Sequence, residues 1–324
     1  MSKRDNNVDI LRCVAIVCIC LHHSISVYAG WPPNTGVAVG LSKWLILVSI
    51  ITKGLGLGLF TFISGYLSRA GFESDSTLSQ KIYKRIKRLI IPMFIVGSIY
   101  YIFFPTLMFG NNFVFGTHLW YLPVLFCMYV CMYVCARIGK INSRIAIVAL
   151  TILFAFIIIN LFYRNDLTSS VRFYWPIYVL GYFASCHKSY AIGAFRKNEH
   201  YIILSLFLLL CSAICFLVFP TGFMGSIIEL FYTWLFTPIF AVVISSLWNN
   251  RKLPYLPSLL SHHSFQIYLF HQFVINAIIL SINISENSDG AKILYIGCIC
   301  LLALSIPLLL SSFFAYAKEK SKLQ

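Results

Sequence analysis

Acidic side chains are scarce in this sequence: 10 Asp and Glu stand against 25 Lys and Arg in 324 residues, and charged residues of both signs make up only 11%. Soluble globular domains carry about a quarter charged residues. The shortage, together with 59% hydrophobic residues and a mean hydropathy of +0.82, argues against a soluble domain and places the chain in a membrane. The formal net charge of +15 would suggest a nucleic-acid partner for a soluble protein. Here the basic residues sit mainly in short connections between apolar runs, so membrane topology accounts for them and no nucleic acid is expected. The first apolar run ends without a small-residue cleavage pattern, so it reads as a retained span rather than a signal peptide. No cysteine lies in an evident external loop. All 11 fall in apolar segments, which favours small buried hydrophobes over a disulfide framework or a metal site.

Long apolar runs are what the sequence has in abundance. Stretches compatible with crossing a bilayer cover roughly residues 9–28, 41–69, 88–107, 118–137, 142–160, 172–187, 200–219, 225–247, 264–280 and 291–314. The expectation is an all-α, polytopic integral membrane protein with about ten transmembrane helices, forming a single domain over residues 1–324. The second run contains Gly54, Gly56, Gly58 and Gly65, which predicts a kinked, tilted or broken helix. Most of the 25 basic residues fall in alternate connections, while the others hold little beyond Lys43, Arg164, Arg172 and Lys292. That asymmetry predicts both termini on the cytoplasmic side, with Trp31, Trp44, Trp120 and Trp175 near the external interface as an aromatic belt.

Polar residues inside the apolar runs are the candidate functional groups, because ionisable side chains are costly within lipid. Arg12 and His23 share the first run and, on a helix rising 1.5 Å per residue, lie about 16 Å apart, roughly half the hydrocarbon thickness. Lys53 falls within the second span, where its ammonium needs a carboxylate, carbonyls, water or a bound anion. Lys84, Arg85, Lys87 and Arg88 precede Pro92, either as an ordinary membrane anchor or as a site for the phosphates of a nucleotide-bearing donor. His118 opens the fourth run beside Trp120 and Tyr121, as an interfacial residue or one facing the bundle interior. Glu229 enters the eighth run and should be paired or line a cavity. His262, His263 and His271 mark the ninth run. Satisfied core histidines are favoured there over metal ligands, since no acidic or thiolate constellation accompanies them.

The first run resembles the acyltransferase 3 family of membrane proteins, whose signature is an arginine or lysine, ten intervening residues and a histidine, met here by Arg12 and His23 with His22 one position out of register. Further segments resemble the family in its order: LFTFISGYL with Ser64 and Gly65, KRIKRLIIP, HLWYLPVLF with His118, Leu119 and Trp120, WPIYVLGYF, and SFQIYLFH with Tyr268, Leu269 and His271. The resemblance spans residues 9–271. It implies transfer of an acyl group, usually acetyl, from cytoplasmic acyl-coenzyme A to a hydroxyl of an envelope carbohydrate, lipid-linked glycan or other envelope acceptor, in the inner membrane of a bacterium. It further implies that Arg12 and the basic run, with Ser64, hold the phosphorylated donor, and that no metal takes part. His23 is expected to act as general base or as a transient acyl carrier, with Glu229 supporting a histidine and His118 on the acceptor side. A transporter or flippase of an envelope precursor, using Arg12, Lys53 and Glu229 along a polar path, is the competing expectation. A purely structural membrane protein is the third.

Overall fold

The computed structural model describes residues 5–31, 40–74, 76–107, 117–138, 142–162, 166–187, 207, 229–248, 252–281 and 288–320, and these are almost wholly helical. Helix α1 (Asn6–Ser26) runs into a 3₁₀ turn, Val27–Ala29, and α2 spans Lys43–Glu73. Helix α3 (Leu78–Arg85) continues through a π turn, Ile86–Ile90, into α4 (Ile91–Phe103). A 3₁₀ turn, His118–Trp120, leads into α5 (Tyr121–Ile138), followed by α6 (Asn142–Phe162) and α7 (Asp166–Cys186). A second π turn, Tyr232–Phe236, opens α8 (Thr237–Trp248), and α9 (Tyr255–His262), α10 (Ser264–Ser281) and α11 (Asp289–Lys320) complete the chain.

Among the described residues, 7 helices are long and apolar enough to cross a membrane. The chain is an all-α, polytopic integral membrane protein. The expected run at 200–219 lies outside the described residues apart from Phe207, and α6 contributes a shorter apolar core, Ile147–Ile159. Large apolar side chains point outward from α4 (Ile95, Ile102, Phe103), α6 (Ile147, Leu150, Phe154) and α11 (Leu301, Leu309, Phe313), as lipid-facing helices require.

Helix α1 lies at the centre, packed against α2, α8, α9, α10 and α11. Helix α2 is continuous over its full length, so the predicted break does not occur. Its glycines serve close packing instead. A Cβ on Gly65 would collide with the Tyr178 carbonyl of α7, and one on Gly181 of α7 would collide with the Phe62 carbonyl of α2. In lipid, where no hydrophobic effect drives helices together, such small residues let backbones approach and gain dispersion contacts. Gly65→Ala should therefore push α2 from α7 and cost about 1–3 kcal/mol, read as a lower unfolding midpoint in detergent. Gly297→Ala on α11, where nothing lies within 4 Å, should leave that midpoint unlowered or slightly raised.

Both π turns end just before a proline, Pro92 and Pro238. Proline cannot donate the next helical hydrogen bond, and widening the preceding turn lets the helix continue. The first π turn carries Lys87 and Arg88. Its approach is fixed by Lys81, whose buried ammonium donates to the Phe72 and Ser74 carbonyls at 2.9 Å, capping the end of α2. Trp175, expected at the membrane interface, is instead fully buried and donates its indole N–H to the Ala149 carbonyl at 3.0 Å. The interior between α6 and α7 accommodates it because that one N–H finds a partner there. Trp44 is exposed.

Candidate active site

Two cavities, each of about 290 Å³, lie in the bundle interior with one tyrosine, Tyr268, lining both. The first is basic. Arg12 of α1, Ser64 of α2, Arg85 and Arg88 around the π turn, Tyr129 of α5, Tyr178 of α7, and Ser261 and His262 of α9 line it. Asp9, one turn before Arg12, lies 3.6 Å from its guanidinium and accepts from the Ser261 hydroxyl at 2.9 Å, so one carboxylate ties α1 to α9. The Arg85 guanidinium sits 4.2 Å from the Tyr129 ring centroid, an arrangement that holds the cation over an aromatic face. No carboxylate pairs with Arg85 or Arg88 among the described residues. Three guanidiniums beside one carboxylate leave this cavity net positive, which is suited to a polyanion. Lys84 and Lys87 are exposed and do not line it.

The second cavity is lined by His22, His23 and Ser26 of α1, Trp31, Lys53 and Leu57, and Thr117, His118 and Trp120 before α5. Gly30, at φ 81°, reverses the chain after α1, and the Trp31 N–H returns to the Ser26 carbonyl at 3.0 Å. That turn lays the Trp31 ring 4.7 Å from the His23 ring. His22 is tied to α2, with Nδ1 2.9 Å from the Ser49 hydroxyl and 3.1 Å from its carbonyl. The buried Nδ1 of His23 has no hydrogen-bond partner. Of the two adjacent histidines, His22 is tethered to α2 and His23 is not.

The wall between the cavities is built from tyrosines. Tyr268 donates its hydroxyl to the His118 carbonyl at 2.7 Å, while the Tyr121 hydroxyl meets the Leu57 carbonyl at 3.2 Å and Thr61 Oγ1 at 2.6 Å. Arg12 and His23 thus line two adjoining cavities rather than the two ends of one, with Tyr268 common to both.

The Glu229 carboxylate pairs with no histidine among the described residues. It pairs with the Lys53 ammonium at 2.7 Å, answering at once what neutralises each charge within the bundle. A double-mutant cycle on Lys53→Met and Glu229→Gln should return a coupling of about 0.5–3 kcal/mol in the unfolding free energy. Additive effects would mean the pair is not energetically joined. His271, which the sequence suggests is a satisfied core histidine, lies between the catalytic candidates: its ring is 5.1 Å from that of His23 and 5.0 Å from that of His118. Asp9, Trp31, Tyr129, Tyr178, Ser261 and Tyr268 were not singled out for a role. Tyr178 and Tyr268 fall in segments of the resemblance, and Asp9 is an acid three residues before Arg12 in an apolar run, whereas Tyr129 and Ser261 carry no signal of their own. No group of histidine, cysteine and acidic residues able to hold a metal is found among the described residues, and the described cysteines are free.

The acyltransferase domain family matches the chain over residues 5–312. The chain belongs to the acyltransferase 3 family. No significant match was found among curated proteins or solved structures. Membership makes this bundle a membrane acyltransferase domain covering nearly the whole chain. Arg12 lines the basic cavity and His23 the histidine-lined one.

Proposed function

We propose that the protein transfers an acyl group, acetyl in the first instance, from acyl-coenzyme A to a hydroxyl of an envelope carbohydrate or lipid-linked glycan. The observation that carries this reading is the pairing of a net positive cavity at Arg12, Arg85 and Arg88 with a separate cavity at His23. The donor brings an activated thioester on a flexible arm attached to phosphates. Arg12, Arg85 and Arg88 hold those phosphates at the cytoplasmic side, with Ser64 and the tyrosines lining the path inward. His23 takes the proton of the acceptor hydroxyl, for which a neutral imidazole is suited. Trp31 and Trp120 offer flat aromatic faces and the Lys53–Glu229 pair offers polar contacts to an acceptor entering the outer cavity, a combination fitted to sugar rings.

The test uses purified protein in lipid nanodiscs with acetyl-coenzyme A and an envelope glycan extract from a bacterial host. Free coenzyme A should appear in step with acetyl ester on the glycan. Movement of glycan across a bilayer with no ester formed over a broad acceptor screen would overturn the assignment in favour of a transporter.

A further inference from the structure

His271 is fully buried, and its Nδ1 lies 2.8 Å from the Tyr268 carbonyl and 3.1 Å from the Ile267 carbonyl. Carbonyls only accept, so Nδ1 carries the ring proton. A neutral imidazole has one N–H, and Nε2 is therefore a bare lone pair, buried and without a partner. His118 repeats the pattern in mirror form: its Nε2 donates to the Leu269 carbonyl at 3.1 Å, which leaves a buried, unpartnered lone pair on Nδ1. Two acceptors cannot satisfy each other. Leaving a buried acceptor unpaired costs about 1–3 kcal/mol. The remaining orphan nitrogen in the cluster is Nδ1 of His23, whose ring packs directly on that of His271. Two imidazoles joined by an N–H···N bond of ordinary length have centroids about 5 Å apart, and the observed separation is 5.1 Å.

We infer that His271 is a positioning residue: its Nε2 accepts from Nδ1–H of His23, fixes that tautomer, and leaves Nε2 of His23 as the lone pair facing the acceptor. Rotation of the His23 ring completes the bond. The other charged or titratable groups at this cavity are His22, held by Ser49, His118, held by Leu269, Lys53, held by Glu229, and Tyr268, whose hydroxyl donates to the His118 carbonyl. No described carboxylate contacts His23, so a neutral imidazole takes the orienting part that an acid often plays. During transfer the hydroxyl proton moves to Nε2 of His23 as the ester C–O bond forms. The thioester C–S bond breaks, and the same proton leaves with the thiolate as free thiol. This inference rests on the acyl-transfer reading above.

The experiment is ¹⁵N NMR of the full chain, histidine-labelled, in detergent micelles, with His23 assigned by His23→Gln. The expected spectrum shows a protonated Nδ1 and a bare Nε2 on His23, a result that needs no turnover and stands apart from whether the acceptor has been found. His271→Asn keeps a donor near the backbone carbonyls but places nothing at the Nε2 position. It should mix the His23 tautomers and lower kcat on the order of 100-fold, with the donor KM unchanged. His271→Gln, whose amide oxygen reaches toward the Nε2 position, should recover most of that loss. A wild-type His23 protonated on Nε2, or a folded His271→Asn protein with full kcat, would overturn the inference. Absence of turnover in the wild type with the expected tautomer would instead count against the acyl-transfer reading and leave the pairing standing.

Discussion

His23→Ala is expected to lower acyl transfer by roughly 10²–10⁴-fold, the range over which a positioned general base contributes, while acyl-coenzyme A binding stays within about twofold of wild type because the arginines lie beyond the tyrosine wall. His22→Ala provides the contrast. The imidazole of His22 is engaged by Ser49 on α2, so its loss should loosen the contact between α1 and α2 and lower the unfolding midpoint more than it lowers kcat. Release of coenzyme A thiol read alongside calorimetric donor binding separates the two outcomes. Equal kcat losses in both variants would mean that the chemistry is shared across the pair, and the distinction between the adjacent histidines would fail.

Arg12→Ala should weaken acyl-coenzyme A binding by roughly 10–100-fold, as removal of a charge-assisted contact to phosphate implies. Binding of an acyl-pantetheine donor lacking the nucleotide phosphates should be unchanged by the same substitution. Arg88→Ala should act in the same direction, whereas Lys84→Ala and Lys87→Ala should have little effect, because both lysines are exposed and neither lines the cavity. Removing Arg12 leaves Asp9 with the Ser261 hydroxyl as a remaining donor, so the fold should survive the change. Titration calorimetry in nanodiscs reads the affinities. An unchanged affinity in a folded Arg12→Ala protein would remove the phosphate-holding role while leaving the acyltransferase assignment intact.

The parts of this architecture governed by local chemistry were legible in the chain. Apolar runs gave the helices, and the costly placement of Arg12, His23, Lys53 and Glu229 inside those runs marked the interior, because each such residue must line a cavity or find a partner. Which partner each finds depends on how helices distant in sequence meet. Lys53 on α2 and Glu229, three residues ahead of the π turn that opens α8, are joined, and nothing in their spacing announces it. The same holds for His271, which looked like a satisfied core residue on its own helix. Only its approach to α1 reveals an unpaired nitrogen. The glycines of α2 suggest a kink or a break, yet the structure uses them for their lack of a side chain. The SGY segment at Gly65 and the LGY segment at Gly181 lie against each other, each glycine making room for the other helix's carbonyl. Trp175 was placed by residue type at an interface, when a single carbonyl on α6 sufficed to hold it in the core.

The most direct measurement of the central claim is sided transfer in sealed proteoliposomes whose protein orientation has been set. Labelled acetyl-coenzyme A is supplied on one face at a time and a glycan acceptor on the other. The account predicts acetyl ester on the acceptor only when the donor is on the face carrying Lys84, Arg85, Lys87 and Arg88, and none in His23→Ala. Equal transfer with the donor on either face, or undiminished transfer by His23→Ala, would contradict it.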